Sequence, residues 1–111
     1  MYQTTPYTVE RPWGYYTVLH EVDGMKVKEL TVNPGCSLSM QRHKCRAEYW
    51  IVSDGDCIVK FENGWILKKK HDSLMINVNE WHQLTNPFDT PCKLVEVQYG
   101  TNCIEEDIER K

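Results

Sequence analysis

The segment 41–50 holds the residue types best suited to chemistry in this 111-residue chain. It places His43, Cys45 and Glu48 within six residues, and His82 follows between two strand-like segments. Imidazole, thiolate and carboxylate groups are the usual protein ligands of zinc and other transition metals. The types and spacing therefore indicate a metal site made by these four side chains.

The elements that carry these side chains decide whether they can meet. On a strand, His43 and Cys45 would point to one face, because side chains alternate. Glu48 would lie on the opposite face of a regular strand, so it joins them only if the chain bends or bulges near residues 46–47. His82 must come from another strand, as it can in a barrel whose inward-facing residues converge.

Plainer explanations exist for the same residues. His43 and Glu48 can be solvated, or can pair with the basic side chains around them, which are Arg42, Lys44 and Arg46. Cys45 can instead be a nucleophile, although no oxyanion-hole loop or nucleophile-elbow motif surrounds it. Spacing alone leaves these alternatives open.

Composition and charge exclude several classes of function. A net charge of −3 argues against nucleic acid or an anionic membrane as the main partner. No apolar run is long enough for a membrane-spanning helix, and the polar N-terminus lacks a signal core, so a cytoplasmic protein is expected. The five cysteines are odd in number and widely spaced, which favours reduced thiols over a disulfide framework.

Alternating apolar residues and frequent turn signals predict an all-β fold. Hairpins are expected at Asp23–Gly24 and Asn63–Gly64, and short strands recur about every eight to twelve residues, as in a sandwich or barrel. No segment holds a helical apolar period over about twelve residues. A slip in the alternation near Glu29 predicts a bulge or a change of face. Residues 36–40 are expected to form a short strand, and residues 105–111 a frayed helical turn.

The motifs around these strands resemble those of a cupin. A cupin has a first motif of Gly, His-x-His, Glu and a later Gly, and a second motif that ends in His, three residues and Asn. The matching residues are Gly35, His43, Glu48, Gly55, His82 and Asn86, and Cys45 occupies the position of the second histidine. Asn77 and Asn79 stand where the family often has Pro and Gly. Because Asn tolerates a positive φ angle, a tight turn is expected there.

The chain resembles most closely the C-terminal domain of type II mannose-6-phosphate isomerases, which is often fused behind a mannose-1-phosphate guanylyltransferase. The segments that carry the resemblance are 11–16, 26–35, 41–43, 46–48, 81–82 and 96–98. Where that family usually reads His-His-His-Arg-x-Glu-His-Trp, this chain has Lys44, Cys45 and Tyr49 in place of three histidines.

The resemblance implies a fold and a domain organisation. The fold is an antiparallel double-stranded β-helix, or jelly-roll barrel. Residues 1–111 would form a single, stand-alone cupin domain, with 1–10 as an N-terminal arm and 104–111 as a charged C-terminal tail. A homodimer is also implied, through strand exchange or sheet pairing.

The resemblance also implies a metal-dependent aldose–ketose isomerase that interconverts mannose 6-phosphate and fructose 6-phosphate through a cis-enediol. The implied metal is a divalent ion, zinc or else Co, Mn, Mg or Ni, and its implied ligands are His43, Cys45, Glu48 and His82. The implied catalytic residues are Glu48, Arg46, Lys28 and Glu96. The implied substrate-binding residues are Arg11, Gln41 and Gln98.

The altered histidine motif leaves two other functions open. One is a non-catalytic cupin that binds a sugar or nucleotide-sugar and has a degenerate metal site. The other is a different metal-dependent cupin enzyme, such as an epimerase or a dioxygenase.

Overall fold

A computed structural model describes residues 4–100 and 106–111 of the chain. Within these residues the chain forms eleven β-strands. In chain order, β1 to β11 are Tyr7–Arg11, Gly14–Val22, Met25–Val32, Gln41–Arg42, Arg46–Asp54, Cys57–Phe61, Gly64–Lys68, Ser73–Ile76, His82–Thr85, Cys92–Gly100 and Glu109–Arg110. The prediction of an all-β fold is confirmed.

The strands form two antiparallel sheets. The larger sheet has the order β1-β2-β3-β10-β5-β8, and the smaller has the order β11-β4-β9-β6-β7. Alternate side chains of the long strands turn inward, as the 2-residue period of a strand requires. The buried apolar cluster draws on both sheets and comprises Tyr16, Val18, Leu30, Val32, Trp50, Val52, Cys57, Val59, Ile76, Leu84, Cys92 and Leu94.

The hairpins appear where the turn signals predicted them, but the bulge does not. β3 pairs with β10 without a shift of register along its whole length. The register shifts in β2 instead. Val18 pairs with Lys28 and His20 pairs with Val27, so the exposed Leu19 is the extra residue. The apolar alternation slips near Glu29 because the apolar residues change face, since Lys26 and Lys28 are buried on the same face as Leu30 and Val32, and not because the strand bulges.

Two short predicted elements are wrong. Residues 36–40 make a single bridge, between Ser37 and Thr85, and no strand. Near the C-terminus, Glu109 and Arg110 form a strand against β4 in place of a helical turn. Residue 105 lies outside the described residues. A two-residue strand exists only because a partner strand is present, so local composition does not reveal it.

The asparagines of the second motif have distinct roles. Asn79 adopts a positive φ of 65°, as the predicted tight turn requires. Asn86 is fully buried, and its amide donates to the carbonyls of Val32 and Thr90. It therefore holds the loop after β9 against β3.

Four of the five cysteines lie among the described residues. Cys36, Cys45, Cys57 and Cys92 are free thiols, and Cys103 lies outside the described residues. Within residues 4–100 and 106–111, no helix is long and apolar enough to cross a membrane.

Gly100, at the end of β10, is the position where a side chain should do most damage near the bend at residues 43–45. Its φ is +157°, and a Cβ there would lie 2.2 Å from the carbonyl oxygen of Cys45. Gly100→Ala should destabilise the protein by about 3 kcal/mol, from backbone strain and a forced shift. Gly35→Ala is the control, since its φ is +75° with open space around it, and it should cost only about 1–2 kcal/mol. Urea unfolding measures both, and equal losses would contradict the prediction.

Candidate functional site

A cavity of about 360 Å³ opens between the sheets and is lined by both polar and apolar side chains. Three neighbouring strands of the larger sheet build one wall. In that wall Glu96 of β10 pairs with Lys28 of β3 and with Trp50 of β5. Two residues farther along β10, Gln98 pairs with Glu48 of β5. Period-2 alternation therefore points these polar side chains inward, into the cavity.

Three buried side chains form a cluster at this cavity. The potential ligand atoms of His43, Glu48 and His82 all lie within 4.8 Å of one another. Nε2 of His43 is 3.3 Å from Oε2 of Glu48, and the two imidazole rings are 5.4 Å apart, centroid to centroid. Trp50 packs edge-on against His82, with its centroid 5.6 Å away. This is a donor set of two nitrogens and a carboxylate.

Both histidines present the same nitrogen to the cluster. Nδ1 of His43 is 2.6 Å from the main-chain oxygen of Asp107, and Nδ1 of His82 is 2.8 Å from that of Glu80. A carbonyl oxygen only accepts hydrogen bonds, so Nδ1 carries the proton on each ring. Each Nε2 therefore keeps its lone pair, which is the state that a metal ion requires.

Glu48 also has partners inside the protein. Arg46 Nε donates to its Oε2 over 3.0 Å, and Trp50 Nε1 donates to its Oε1 over 2.9 Å. A second nitrogen of Arg46 lies 3.3 Å from Nε2 of His43. A buried guanidinium thus stands against two of the three candidate ligands and neutralises the carboxylate.

Cys45 does not join this cluster, so the structure contradicts its prediction as a ligand. It is exposed, and its main-chain N–H donates to the carboxylate of Asp107 over 2.9 Å. Residues 43–45 form a bend between β4 and β5 and not a strand, so the alternation that would have placed Cys45 beside His43 does not apply. The same bend lets Glu48 reach His43.

Glu96 and Gln98 lie beside the cluster in the same wall. Both are buried, and the Gln98 amide donates to the Glu96 carboxylate. Burial, reinforced by the neighbouring charge of Glu48, raises the pKa of Glu96 from 4.5 to about 7. Within the described residues, Oε1 of Gln98 is buried with no hydrogen-bond partner. It is thus an acceptor available to a ligand hydroxyl.

Cations run from the cavity interior to the surface. Lys28 and Arg46 are buried, whereas Arg11 and Arg110 are exposed, and all four line the cavity. The Lys28 ammonium lies 4.2 Å from the ring centre of Tyr16, and the Arg11 guanidinium lies 5.6 Å from it. This distribution favours an anionic ligand.

Both histidines of the cluster are uncharged near neutral pH. Burial and, to a smaller extent, the positive charge of Arg46 lower the pKa of His43 from 6.5 to about 4. Burial also lowers the pKa of His82. Neutral imidazole is the metal-binding form.

The structure therefore brings most of the sequence-predicted residues to one place. The predicted residues that line the cavity are Arg11, Lys28, Gln41, Arg46, Glu48, His82, Glu96 and Gln98. His43 lies against two of them, Glu48 and Arg46. Arg110 and Ile108 also line the cavity, although the sequence reasoning missed them. A charged tail without periodicity gives no signal that it will fold over a cavity.

The family model described as Mannose-6-phosphate isomerase C-terminal matches residues 2–111. The chain belongs to this family. It is a cupin domain related to enzymes of sugar-phosphate metabolism, and the resemblance drawn from the sequence is confirmed.

Curated relatives agree with the family assignment. A mannose-1-phosphate guanylyltransferase of Salmonella muenchen is 43% identical over 92% of this chain, and the match covers 22% of that protein. The alginate biosynthesis protein AlgA of Pseudomonas putida is 41% identical over 92% of this chain, which is 21% of that protein. This chain thus spans about a fifth of the length of these relatives.

Solved structures share the fold. The capsular polysaccharide assembling protein CapF of Staphylococcus aureus superposes with a TM-score of 0.81 at 17% identity, covering 97% of this chain and 33% of that one. A sugar phosphate isomerase of the cupin superfamily from Silicibacter pomeroyi gives 0.69 at 18% identity, covering 78% and 60%. The predicted cupin fold is confirmed.

The lowered pKa of His43 predicts how stability depends on pH in the metal-free protein. Between pH 6.5 and about 4 the unfolded chain binds the proton and the folded chain does not. Stability is therefore lost as pH falls through this window, by about 3 kcal/mol for this group.

Comparison with His43→Gln isolates this effect, because the other titrating groups are common to both proteins. The free energy of unfolding of wild type, minus that of the variant, should fall by about 3 kcal/mol from pH 7 to pH 4. Urea titrations with chelator present measure it. A difference that does not change with pH would contradict the prediction.

Proposed function

We propose that this domain is a metal-dependent aldose–ketose isomerase acting on mannose 6-phosphate and fructose 6-phosphate. The observation that carries the proposal is the composition of one cavity. It is lined by Glu48, His82, the protonatable Glu96 and cations that reach the surface, and His43 completes the donor cluster beside it. Family membership supports the choice of substrate.

The donor set fits a divalent metal ion. His43 and His82 would bind through Nε2 and Glu48 through its carboxylate, a combination found with zinc and similar ions. A bound ion would polarise the sugar oxygens and stabilise negative charge on them. Zinc is the proposed ion, with Co, Mn, Mg and Ni as alternatives.

The protein's own residues would bind the substrate and move its proton. Arg11 at the surface would bind the phosphate, and Lys28 and Arg46 would face the negative charge of the enediolate. Gln41 and Gln98 would hold sugar hydroxyls. All five line the cavity.

Glu96 would be the general base. Its carboxylate would take the proton from C2 while the C2–H electron pair forms the C1–C2 double bond, and the electrons of the C1 carbonyl would move to O1, which takes a proton from solvent. The O2 proton would then leave to solvent as the C2 carbonyl forms, and Glu96 would return its proton to C1. A pKa of about 7 suits both halves of this transfer.

Turnover tests this proposal directly. Wild-type protein should convert mannose 6-phosphate to fructose 6-phosphate with zinc or with one of the alternative divalent ions. Glu96→Gln should lower kcat by about 100- to 10,000-fold, because the base is lost while the shape of the site is kept. Folded wild-type protein that turns over with none of these ions would refute the isomerase.

Metal content tests the cluster separately. His82→Ala should remove stoichiometric zinc, because it deletes one of the three donors. Cys45→Ser is the matched control and should keep wild-type zinc content, since Cys45 is exposed and outside the cluster. Equilibrium dialysis followed by elemental analysis reports both. Loss of zinc in Cys45→Ser would contradict this ligand set.

A non-catalytic sugar-binding cupin is the second candidate, and Arg46 is the observation that favours it. Its guanidinium already neutralises Glu48 and lies 3.3 Å from Nε2 of His43. A metal ion must displace these contacts, whereas a metal-free binding site can keep them. Wild-type protein that binds no metal but binds the sugar phosphate would favour this function.

The homodimer, the cytoplasmic location and the single-domain boundaries stay predictions.

A further inference from the structure

The C-terminal segment 106–111 crosses the edge of the smaller sheet and lies against the site. Contacts with β4 and with the two residues before it hold the segment there. Arg42 pairs with Glu109 at 2.9 Å, and Arg110 Nε donates to Ser39 Oγ over 3.2 Å. The main-chain N–H of Lys111 donates to the carbonyl of Met40 over 3.0 Å.

The indole of Trp81 adds to this attachment. The guanidinium of Arg42 lies 4.7 Å from its ring centre, and the ammonium of Lys111 lies 5.1 Å from it. One aromatic ring thus contacts a cation from β4 and a cation from the segment. Cation–π contacts of this kind are favourable, and they strengthen the attachment of the segment to β4.

Asp107 makes the contacts that reach the donor cluster. Its two carboxylate oxygens accept hydrogen bonds from the main-chain N–H groups of Lys44 and Cys45, over 3.0 and 2.9 Å. Its own carbonyl oxygen accepts the Nδ1 proton of His43 over 2.6 Å. One residue therefore holds the bend at residues 43–45 and the imidazole that the bend presents.

We propose that Asp107 is a positioning residue of the metal site. Its carboxylate accepts two hydrogen bonds from the bend, and these fix the position of the Asp107 main-chain carbonyl. That carbonyl then holds His43 in the Nδ1-protonated tautomer, with Nε2 turned toward Glu48 and His82. Partners that orient a ligating histidine in this way set its tautomer and ring direction. The inference rests on the proposed function for its metal, but its main test needs no metal.

The chemistry explains why the carboxylate matters although the bond to His43 comes from the main chain. A carbonyl in an otherwise exposed stretch orders an imidazole only if the carbonyl itself is fixed. The two N–H donors fix it, because charge-assisted bonds are stronger than neutral ones. Without them His43 can turn, and Nε2 can take the proton.

The first measurement is the tautomer of His43 in metal-free protein. Nitrogen-15 spectra of the imidazoles near pH 7.5 should place the His43 proton on Nδ1 in wild type. Asp107→Ala should populate the Nε2-protonated form or a mixture. His82 is the internal control, because its partner is the Glu80 carbonyl. An unchanged His43 tautomer in Asp107→Ala would overturn the proposal, whatever happens to stability.

The second measurement is zinc affinity, by competition with a chelator. Asp107→Ala should bind zinc about 10- to 100-fold more weakly than wild type, the range for loss of a residue that orients a ligand. Asp107→Asn keeps one acceptor oxygen and should fall between them. Glu106→Ala is the matched control, because Glu106 is its exposed neighbour. Affinity that falls equally in Glu106→Ala and Asp107→Ala would overturn the proposal.

The two readouts separate failure of this inference from failure of the proposed function. If wild-type protein binds no zinc, the metal site fails, but the tautomer shift still decides the role of Asp107. If zinc binds and the tautomer does not respond, the metal site stands and the role of Asp107 is refuted. Should Asp107→Ala not fold, Asp107→Asn decides through the same tautomer measurement.

Discussion

The interior of this barrel depends on the hydrogen bonds and the ion pair that the buried carboxylate of Glu48 makes. A carboxylate removed from water is costly unless it is neutralised and hydrogen bonded. Arg46 and Trp50 meet both needs, at 3.0 and 2.9 Å, and both lie two residues from it on β5. The strand that brings the charge inside therefore also brings its partners, because alternate residues of one strand share a face.

The way Glu48 is neutralised sets the character of the rest of the cavity. With Arg46 engaged, the second buried carboxylate, Glu96, has Lys28 opposite it in the sheet and Glu48 nearby. Burial and like charge outweigh the attraction of the cations, so its pKa rises to about 7. Glu48 is thus paired with a guanidinium, whereas the raised pKa of Glu96 allows that carboxyl group to exchange a proton near neutral pH. This division of roles suits proton transfer.

Arg46 and a metal ion require the same atoms. The guanidinium contacts Glu48 and Nε2 of His43, and these are two of the three candidate ligands. Positive charge at this point stabilises the cluster in either case. The chemical difference is that an arginine holds the carboxylate in place, whereas a metal ion also accepts electron pairs from a substrate. Whether the domain is a catalyst or a binding protein turns on this competition.

Sequence reasoning succeeded where the controlling chemistry was local. The turn residues at 23–24 and 63–64 predicted hairpins from their own backbone preferences. It failed at Cys45, because the rule of alternate faces holds only inside a strand and residues 43–45 are a bend. It failed again at β11, since a strand of two residues has no period to detect.

The sequence by itself determined the all-β fold, the family and most of the polar residues that meet in the cavity. The all-β fold follows from residue types, turn chemistry and period 2, all of which act over a few neighbouring residues, whereas the family and the polar cavity residues follow from the resemblance of the motifs. Only the tertiary structure decided that Cys45 is excluded, that Arg46 faces the donors, and that the Asp107 carbonyl meets His43 across 64 positions of sequence. Contacts between such distant residues are set by strand pairing and packing, and no local pattern encodes them.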